Sequence, residues 1–206
     1  MIERLINECK QALEHDLFFA ALTIALTLPD ICAKAHYPNE TNNKKRYVDW
    51  YEEYIGQYDR CTTVPAQNDD MPYLSGEVVY SLRCSMLHQG TPNVNEDKCN
   101  LTKFELIVEK KNPLDIYSCN SYGITYRDDE QEGRVITSRE IRLNVRNLCT
   151  EICEVVQQYF DENKERFNFF DYHLVDWNEI LEWQRRIGNL QLDIEDLDIG
   201  DNDDET

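Results

Sequence analysis

The chain has 206 residues, a hydrophobic content of 41% and a formal net charge of −19. This length and composition predict a globular protein with a sizeable core, and they exclude a low-complexity chain. The acidic excess argues against a general coat for nucleic acids, because nonspecific affinity comes from Lys and Arg that neutralise phosphates. We therefore expect any contact with RNA to be local.

The acidic excess is strongest at the C-terminus. Residues 193–206 hold eight of the forty Asp and Glu and none of the Lys and Arg. Such a segment cannot bury enough apolar surface to offset the entropy lost on ordering. We predict a single domain over residues 1–192, followed by an acidic tail at 193–206 that contributes little to folding.

The eight cysteines favour a reducing compartment over a disulfide framework. The N-terminal sequence MIERLINECK mixes charges and lacks the apolar core of a signal peptide. Cys149 and Cys153 are four residues apart on an apolar helix face, so we interpret them as buried thiols rather than metal ligands. No spacing indicates a metal site, and no phosphate-loop or dinucleotide motif indicates a cofactor. We expect a cytoplasmic protein.

The N-terminal third is predicted to be helical. Residues 1–15 are amphipathic, and Asp16 is placed to cap a second helix that runs from Leu17 toward Ala35. Pro29 should kink this helix or end its first part, since proline lacks a backbone donor. The apolar run at 17–28 is too short for a bilayer, which needs about 20 residues. We interpret it as a core helix.

A third helix is predicted at 44–58, after a loop at 37–43. Four tyrosines lie along one side of it: Tyr47, Tyr51, Tyr54 and Tyr58. Its first turn is basic, with Lys44, Lys45 and Arg46. Cations followed by stacked aromatic rings could hold single-stranded RNA through phosphate contacts and base stacking. In the alternative interpretation the tyrosines form core or dimer interface and the three cations are solvated.

The fourth helix should begin after Ser75, end near His88 and stop at Gly90. Strands are predicted at 103–111, 115–127 and 134–145, with an acidic turn joining the last two. A long helix follows from about Asn144, and 176–188 can form another. The predicted fold class is mainly α: a helical bundle with a small antiparallel β-sheet insertion at about 103–145.

The fourth helix carries the candidate site, because Arg83 and His88 lie near its end. At 100° per residue, one face is apolar and the opposite face is small and polar, with Ser81, Cys84, Ser85 and His88. Arg83 is about 140° from His88, so a straight helix does not point both side chains the same way. Either the long stem of Arg83 bends around, or a second copy of the chain completes the pair. The lack of a fully solvated face on this helix predicts a homodimer.

The two side chains suit cleavage of a phosphodiester without a metal. A histidine titrates near neutral pH and can move protons, and an arginine grips phosphate oxygens through a planar fork. His88 would accept or donate the proton while Arg83 stabilises the charged transition state. In the alternative interpretation, Arg83 pairs with a carboxylate and His88 caps helix carbonyls.

The segment from Arg83 to His88, RCSMLH, resembles the R-x(4–6)-H motif of the HEPN superfamily. The resemblance implies a metal-independent ribonuclease that acts as a dimer, leaves 2′,3′-cyclic phosphate ends and serves in a toxin or defence system. The residue after the arginine, often Asn, Asp or His in active members, is Cys84 here. Cys84 and Ser85 are the candidates for orienting the pair.

Two further alternatives stay open at the level of sequence. Asp30 and Lys34 lie one turn apart after Pro29 and could line the same cleft as substrate-binding residues, or could form a surface ion pair. The whole chain could instead be a HEPN-like scaffold without catalysis. Its acidic surface and tail would then bind a basic protein partner.

Overall fold

A computed structural model describes residues 1–59, 71–129, 131, 133–169 and 175–195, with side chains up to residue 188. The chain divides into two compact units, Met1–Phe169 and Phe170–Thr206. The first unit contains seven helices, α1 to α7, and the three-stranded sheet within its described residues, and the second contains the last described helix, α8.

The helix α2 (Phe18–His36) is the centre of the first unit, because it packs against α1 (Ile2–Glu14) and three later helices. It continues through Pro29, so the predicted break there is not observed. By length and composition α2 could cross a membrane, but half of that stretch is buried inside the fold, as in a core helix.

The turn between α1 and α2 corrects one prediction. Asp16 does not cap α2; Leu17 holds the N-cap position, without a side-chain bond. Asp16 instead adopts a left-handed backbone conformation, with φ of 56°. Its carboxylate accepts hydrogen bonds from the backbone N–H of Lys111 and from the guanidinium of Arg146, both at 2.8 Å. The aspartate thus joins this turn to two distant segments.

The predicted third helix is observed as α3 (Asn43–Tyr51), a π-helical turn (Glu52–Gly56) and the short α4 (Gln57–Asp59). Asn42 caps α3 through its side chain. Tyr47 and Tyr51 are fully buried, which confirms the core interpretation for these two rings, whereas Tyr58 is 77% exposed. The tyrosine stripe therefore runs from the core to the surface.

The fourth predicted helix is observed as α5 (Gly76–Gln89) with the predicted cap and stop. Ser75 Oγ accepts the N–H of Val78, and Gly90 takes a left-handed φ of 68°. A Cβ on Gly76 would lie 2.8 Å from the carbonyl oxygen of Val48, so α5 can begin this close to α3 only with glycine. The short α6 (Glu96–Cys99) follows.

The sheet contains β1 (Lys103–Ile107), β2 (Ser121–Asp129) and β3 (Gly133–Asn144). The predicted antiparallel pairing of the last two strands is confirmed. The sheet as a whole is mixed rather than antiparallel, because β3 is central and β1 pairs with it in parallel, with Phe104 opposite Ile141. The segment between β1 and β2 carries the chain from one edge of β3 to the other. As a result β1 runs parallel to β3, whereas an antiparallel sheet was predicted.

Asn144 ends β3 and caps α7 (Val145–Glu162), since its side chain accepts the N–H groups of Arg146 and Asn147. The face of α7 that holds Cys149 and Cys153 is buried, and both are free thiols, as predicted. A 3₁₀ turn (Lys164–Phe167) follows. In the second unit, α8 (Trp177–Glu195) confirms the predicted last helix and extends into the predicted tail. Residues 196–206 of that tail lie outside the described residues.

Candidate functional site

Arg83 and His88 meet at the C-terminal end of α5. The Nη1 group of Arg83 donates to Nε2 of His88 at 3.1 Å. The stem of Arg83 therefore bends around the helix, which is the first of the two ways that the 140° separation allowed. A guanidinium has only donors, so Nε2 is the acceptor and the imidazole in this arrangement is neutral, with its proton on Nδ1.

Asp30 of α2 holds the other side of the same guanidinium. Nε of Arg83 donates to Asp30 Oδ2 at 2.9 Å, and Nη2 forms an ion pair with the same oxygen at 2.9 Å. Burial raises the pKa of the Asp30 carboxyl, and the charge of Arg83 opposes that rise. Burial also acts to lower the pKa of Arg83, but Asp30 outweighs it and the arginine stays a permanent cation. The carboxylate thus fixes the guanidinium in position beside His88.

The guanidinium keeps part of its hydrogen-bonding capacity. An arginine has five N–H groups. Nε of Arg83 donates to Asp30, Nη1 donates to His88, and Nη2 pairs with Asp30, so part of the fork stays available to another acceptor. The side chain is 21% exposed, and His88 is exposed. An anion that arrives from solvent can therefore reach a cation and a neutral imidazole together.

Tyr80, one turn before Cys84 on α5, lies close to the guanidinium of Arg83. Its ring lies 5.9 Å from the guanidinium carbon of Arg83 and packs edge-on against the buried ring of Tyr47, at 5.3 Å. Burial, and then the neighbouring Cys84 thiol, raise the pKa of Tyr80. The phenol is therefore neutral at ordinary pH. The sequence analysis missed this residue, although its position three residues before Arg83 was a usable signal.

The predicted basic cluster is largely occupied by acidic and amide partners. Lys44 pairs with Glu77 at 2.7 Å, and Lys45 with Asp49 at 2.6 Å. Arg46 donates to the carbonyl of Glu40 and to Asn43, and it lies close enough to Asp30 to act against the rise in its pKa. The structure brings none of the three cations into contact with His88. The interpretation of a shared RNA-binding surface at 44–46 stays a prediction.

Asp30 and Lys34 do not pair with each other. Asp30 turns to Arg83, and the ammonium of Lys34 lies 4.9 Å from the ring centre of Phe169. Of the two, the structure places only Asp30 at the Arg83–His88 pair. The interpretation of Asp30 and Lys34 as substrate-binding residues stays a prediction.

A pocket of about 700 Å³ adjoins the pair on the other side of α5. The small polar face of the helix forms one wall, with Ser81, Cys84 and Ser85. The segment from Thr91 to Cys99 forms the other wall, and the backbone N–H of Asn95 donates to Ser81 Oγ at 2.7 Å to join the two. The sequence predicted this small polar face. The opposite wall was missed, although its sequence TPNVNEDK is rich in amide side chains.

Across the parts of the chain that the structure describes, no three His, Cys, Asp or Glu side chains lie close enough together to hold a metal ion. No family model, no curated protein and no solved structure matches the chain. The contacts of the individual residues must therefore carry the functional argument.

Proposed function

We propose that the protein is a metal-independent endoribonuclease of the HEPN type, with Arg83 and His88 as its catalytic residues. One observation carries the proposal: the guanidinium of Arg83 and the exposed imidazole of His88 are in contact, at 3.1 Å, at the open end of α5. A cation and a base in one place are the two groups that cleavage of RNA at its own 2′-hydroxyl requires.

The reaction follows from the groups present. His88 takes the proton of the ribose 2′-OH, and the 2′-oxygen forms a bond to phosphorus while the bond to the 5′-oxygen breaks. The leaving 5′-oxygen then receives that proton from the protonated His88, so that the imidazole returns to its neutral form and the products are a 2′,3′-cyclic phosphate and a 5′-hydroxyl. The N–H groups of Arg83 that Asp30 does not engage stabilise the charge that gathers on the phosphate oxygens. Because the resting Nε2 accepts from Arg83, an arriving phosphate that draws the guanidinium away also frees the base.

Cys84 and Ser85 are proposed to orient the pair, and the acting form is proposed to be a homodimer in the cytoplasm, in a toxin or defence context. Each protomer already holds its own Arg–His contact. A second copy would therefore add walls and a second pair to the cleft rather than supply a missing member.

The test uses cleavage of a single-stranded RNA pool in EDTA. His88→Ala should lower the rate by at least about 100-fold, since it removes the general base. Arg83→Lys should lose a similar factor, because an ammonium cannot reproduce the planar fork. His15→Ala is the matched control: His15 also lies at a helix end, where its Nδ1 contacts the carbonyl of Gln11 at 2.8 Å. Wild-type protein without EDTA-resistant cleavage would contradict the proposal.

The second candidate function is a HEPN-like scaffold that binds a basic protein through its acidic surface and tail. The ion pair of Arg83 with Asp30 favours it, because that pair alone gives the arginine a structural reason to be present. Under this alternative, Arg83→Lys and His88→Ala leave activity undetectable in all forms. A basic polypeptide should then bind wild-type protein in a salt-dependent manner, and truncation after residue 192 should weaken it.

A further inference from the structure

The pocket beside α5 has polar groups that the fold does not use. Among the residues that the structure describes, the side chains of Ser85, Gln89, Thr91 and Lys98 make no hydrogen bond or ion pair, and all four line the pocket. The side-chain oxygens of Asn93 and Asn95 are engaged by backbone N–H groups at 2.8 and 2.9 Å. Their amide NH₂ groups remain for another acceptor. The pocket therefore offers both donors and acceptors.

The charge of the pocket differs from that of the rest of the chain. Lys44 at its rim is neutralised by Glu77 at 2.7 Å. Lys98, on the opposite wall, has no acidic partner among the described residues and is exposed. In a protein with a net charge of −19, one unpaired lysine among amides and hydroxyls suits a ligand with a single anionic group and a polar, uncharged body.

The pocket is adjacent to the reacting groups. Cys84 lines it and directly follows Arg83 in the chain, and Tyr80 lines it while its ring lies 5.9 Å from the guanidinium carbon of Arg83. Residues that flank Arg83 and His88 in the sequence therefore line the pocket, although neither member of the pair does. A chain that passes over the end of α5 can occupy both places.

We infer that this pocket holds one unpaired nucleotide of the RNA substrate, with its phosphate at Lys98 and its base among the amides and hydroxyls of Gln89, Thr91 and Asn93. Amide and hydroxyl side chains recognise the edges of bases that are not paired, and proteins read single-stranded RNA in this way. The volume of about 700 Å³ accepts a base together with its ribose. The inference rests on the proposed ribonuclease function and names how that site selects its substrate.

The test measures binding, so that it does not depend on cleavage. The probes are the four nucleoside 5′-monophosphates, with ribose 5-phosphate and inorganic phosphate as probes that lack the base. Titration calorimetry on the full chain should show at least one nucleotide bound with a dissociation constant of about 1 mM or tighter. Ribose 5-phosphate and phosphate should bind at least about tenfold more weakly, because they leave the amide groups unpaired.

Lys98→Gln should weaken nucleotide binding about fivefold to tenfold, since it removes a charge-assisted hydrogen bond. Gln89→Ala should reduce the difference in affinity among the four bases. Lys110→Gln is the matched control, because Lys110 is an exposed lysine outside the pocket and forms no ion pair among the described residues. His88→Ala should bind nucleotides as wild type does.

The outcomes separate this inference from the ribonuclease proposal. The pocket proposal is overturned if no nucleotide binds at a concentration of about 10 mM, or if Lys98→Gln leaves nucleotide binding unchanged. Either result counts whether or not the protein cleaves RNA. Binding that is lost in His88→Ala but kept in Lys98→Gln also overturns it, since the nucleotide then lies at the Arg–His pair. Nucleotide binding that depends on Lys98 in a protein without EDTA-resistant cleavage supports the pocket and removes the ribonuclease.

Discussion

Two arginine–aspartate pairs in this protein have opposite surroundings. Arg146 binds Asp16 at 2.8 Å, and its guanidinium also donates to the carbonyl oxygens of Leu13 and Glu109. Arg83 binds Asp30 at 2.9 Å but turns its remaining edge to the exposed His88. The Arg146 side chain is 8% exposed and that of Arg83 is 21% exposed. The same ion pair thus closes one site and leaves the other open.

The difference teaches what makes an arginine structural. Arg146 lies between the rings of Phe18 and Tyr117, at 5.5 and 4.7 Å, and joins the α1–α2 turn to the chain after β1. Its partners are backbone carbonyls and a carboxylate, which hold it and do no chemistry. Arg83 has one carboxylate to hold it and also contacts the exposed imidazole of His88. Its remaining N–H groups are therefore available to a substrate.

The largest expected effect comes from Arg146→Met. This change leaves the carbonyls of Leu13 and Glu109 without this donor and removes the cation that pairs with Asp16, and we expect a loss of about 3 kcal/mol or more in the free energy of unfolding. Arg83→Met should cost less, about 1–2 kcal/mol, because the exposed His88 can turn to water and Arg46 still acts on the charge of Asp30. Urea unfolding followed by circular dichroism measures both. Equal losses would show that the two ion pairs contribute equally to the free energy of unfolding, which would contradict this comparison.

Substitutions of the two aspartates should lower the free energy of unfolding in the same order, with smaller losses. Asp16→Asn keeps a residue that tolerates the left-handed φ of 56°, so the loss of about 1–2 kcal/mol reports the charge against Arg146. Asp30→Asn should cost less, because burial already raises the pKa of Asp30 and makes its charge expensive to keep. The same urea experiment checks the pair. A larger loss for Asp30→Asn would reverse the assignment of the structural arginine.

The sequence predicted the architecture well where a local signal existed. Ser75 and Gly90 bounded α5 correctly because a hydroxyl cap and a left-handed glycine act within one turn. The parallel pairing of β1 with β3 was missed, since strand direction depends on where a connection crosses the sheet and leaves no periodicity in the strands themselves. Aspartate is a residue type that often caps helices, so Asp16 was predicted to cap α2. Its carboxylate instead accepts a hydrogen bond from Arg146, 130 residues away in the sequence.

The site divides in the same way. Arg83 and His88 were found from their spacing, and the wheel argument correctly named a bent arginine stem as one solution. That Asp30 would hold the guanidinium could not be predicted, because it depends on how α2 crosses α5. The pocket wall at 91–99 could not be predicted either, because a loop without hydrophobic periodicity gives no signal for the helix face that it covers.

Glu151 has no cation partner among the described residues, and its carboxylate provides a third case for the comparison. Burial raises the pKa of Glu151, and the nearby Asp59 and Glu154 raise it further. Since its folded pKa lies above the unfolded value of about 4.3, its favourable contribution is fully present below that value and is lost as pH rises through the folded pKa. Glu151→Gln should therefore raise Tm at pH 7 by about 1–3 °C.

Melting curves between pH 4 and 8 at constant ionic strength check this sign. The gain from Glu151→Gln should shrink as the solution is acidified, because wild-type Glu151 is then protonated as well. Glu165→Gln, an exposed glutamate, is the control for the loss of one negative charge. A gain that is equal in both variants, or independent of pH, would mean that general charge repulsion rather than burial acts on Glu151.

The smallest expected effect concerns the exposed cations of α3. Lys45 pairs with Asp49 at 2.6 Å and with Glu40 at 3.3 Å, yet its side chain is 58% exposed. An ion pair in solvent contributes little, so Lys45→Gln should leave the free energy of unfolding almost unchanged. If RNA contacts are confined to the Arg83–His88 pair and the adjacent pocket, Lys45→Gln should also leave unchanged the dependence of RNA binding on salt. That dependence should correspond to about one to three phosphates. A weaker salt dependence of RNA binding in Lys45→Gln would extend the RNA-binding surface to α3. A similar salt dependence in Lys45→Gln and in the wild-type protein would confine RNA binding to Arg83, His88 and the adjacent pocket.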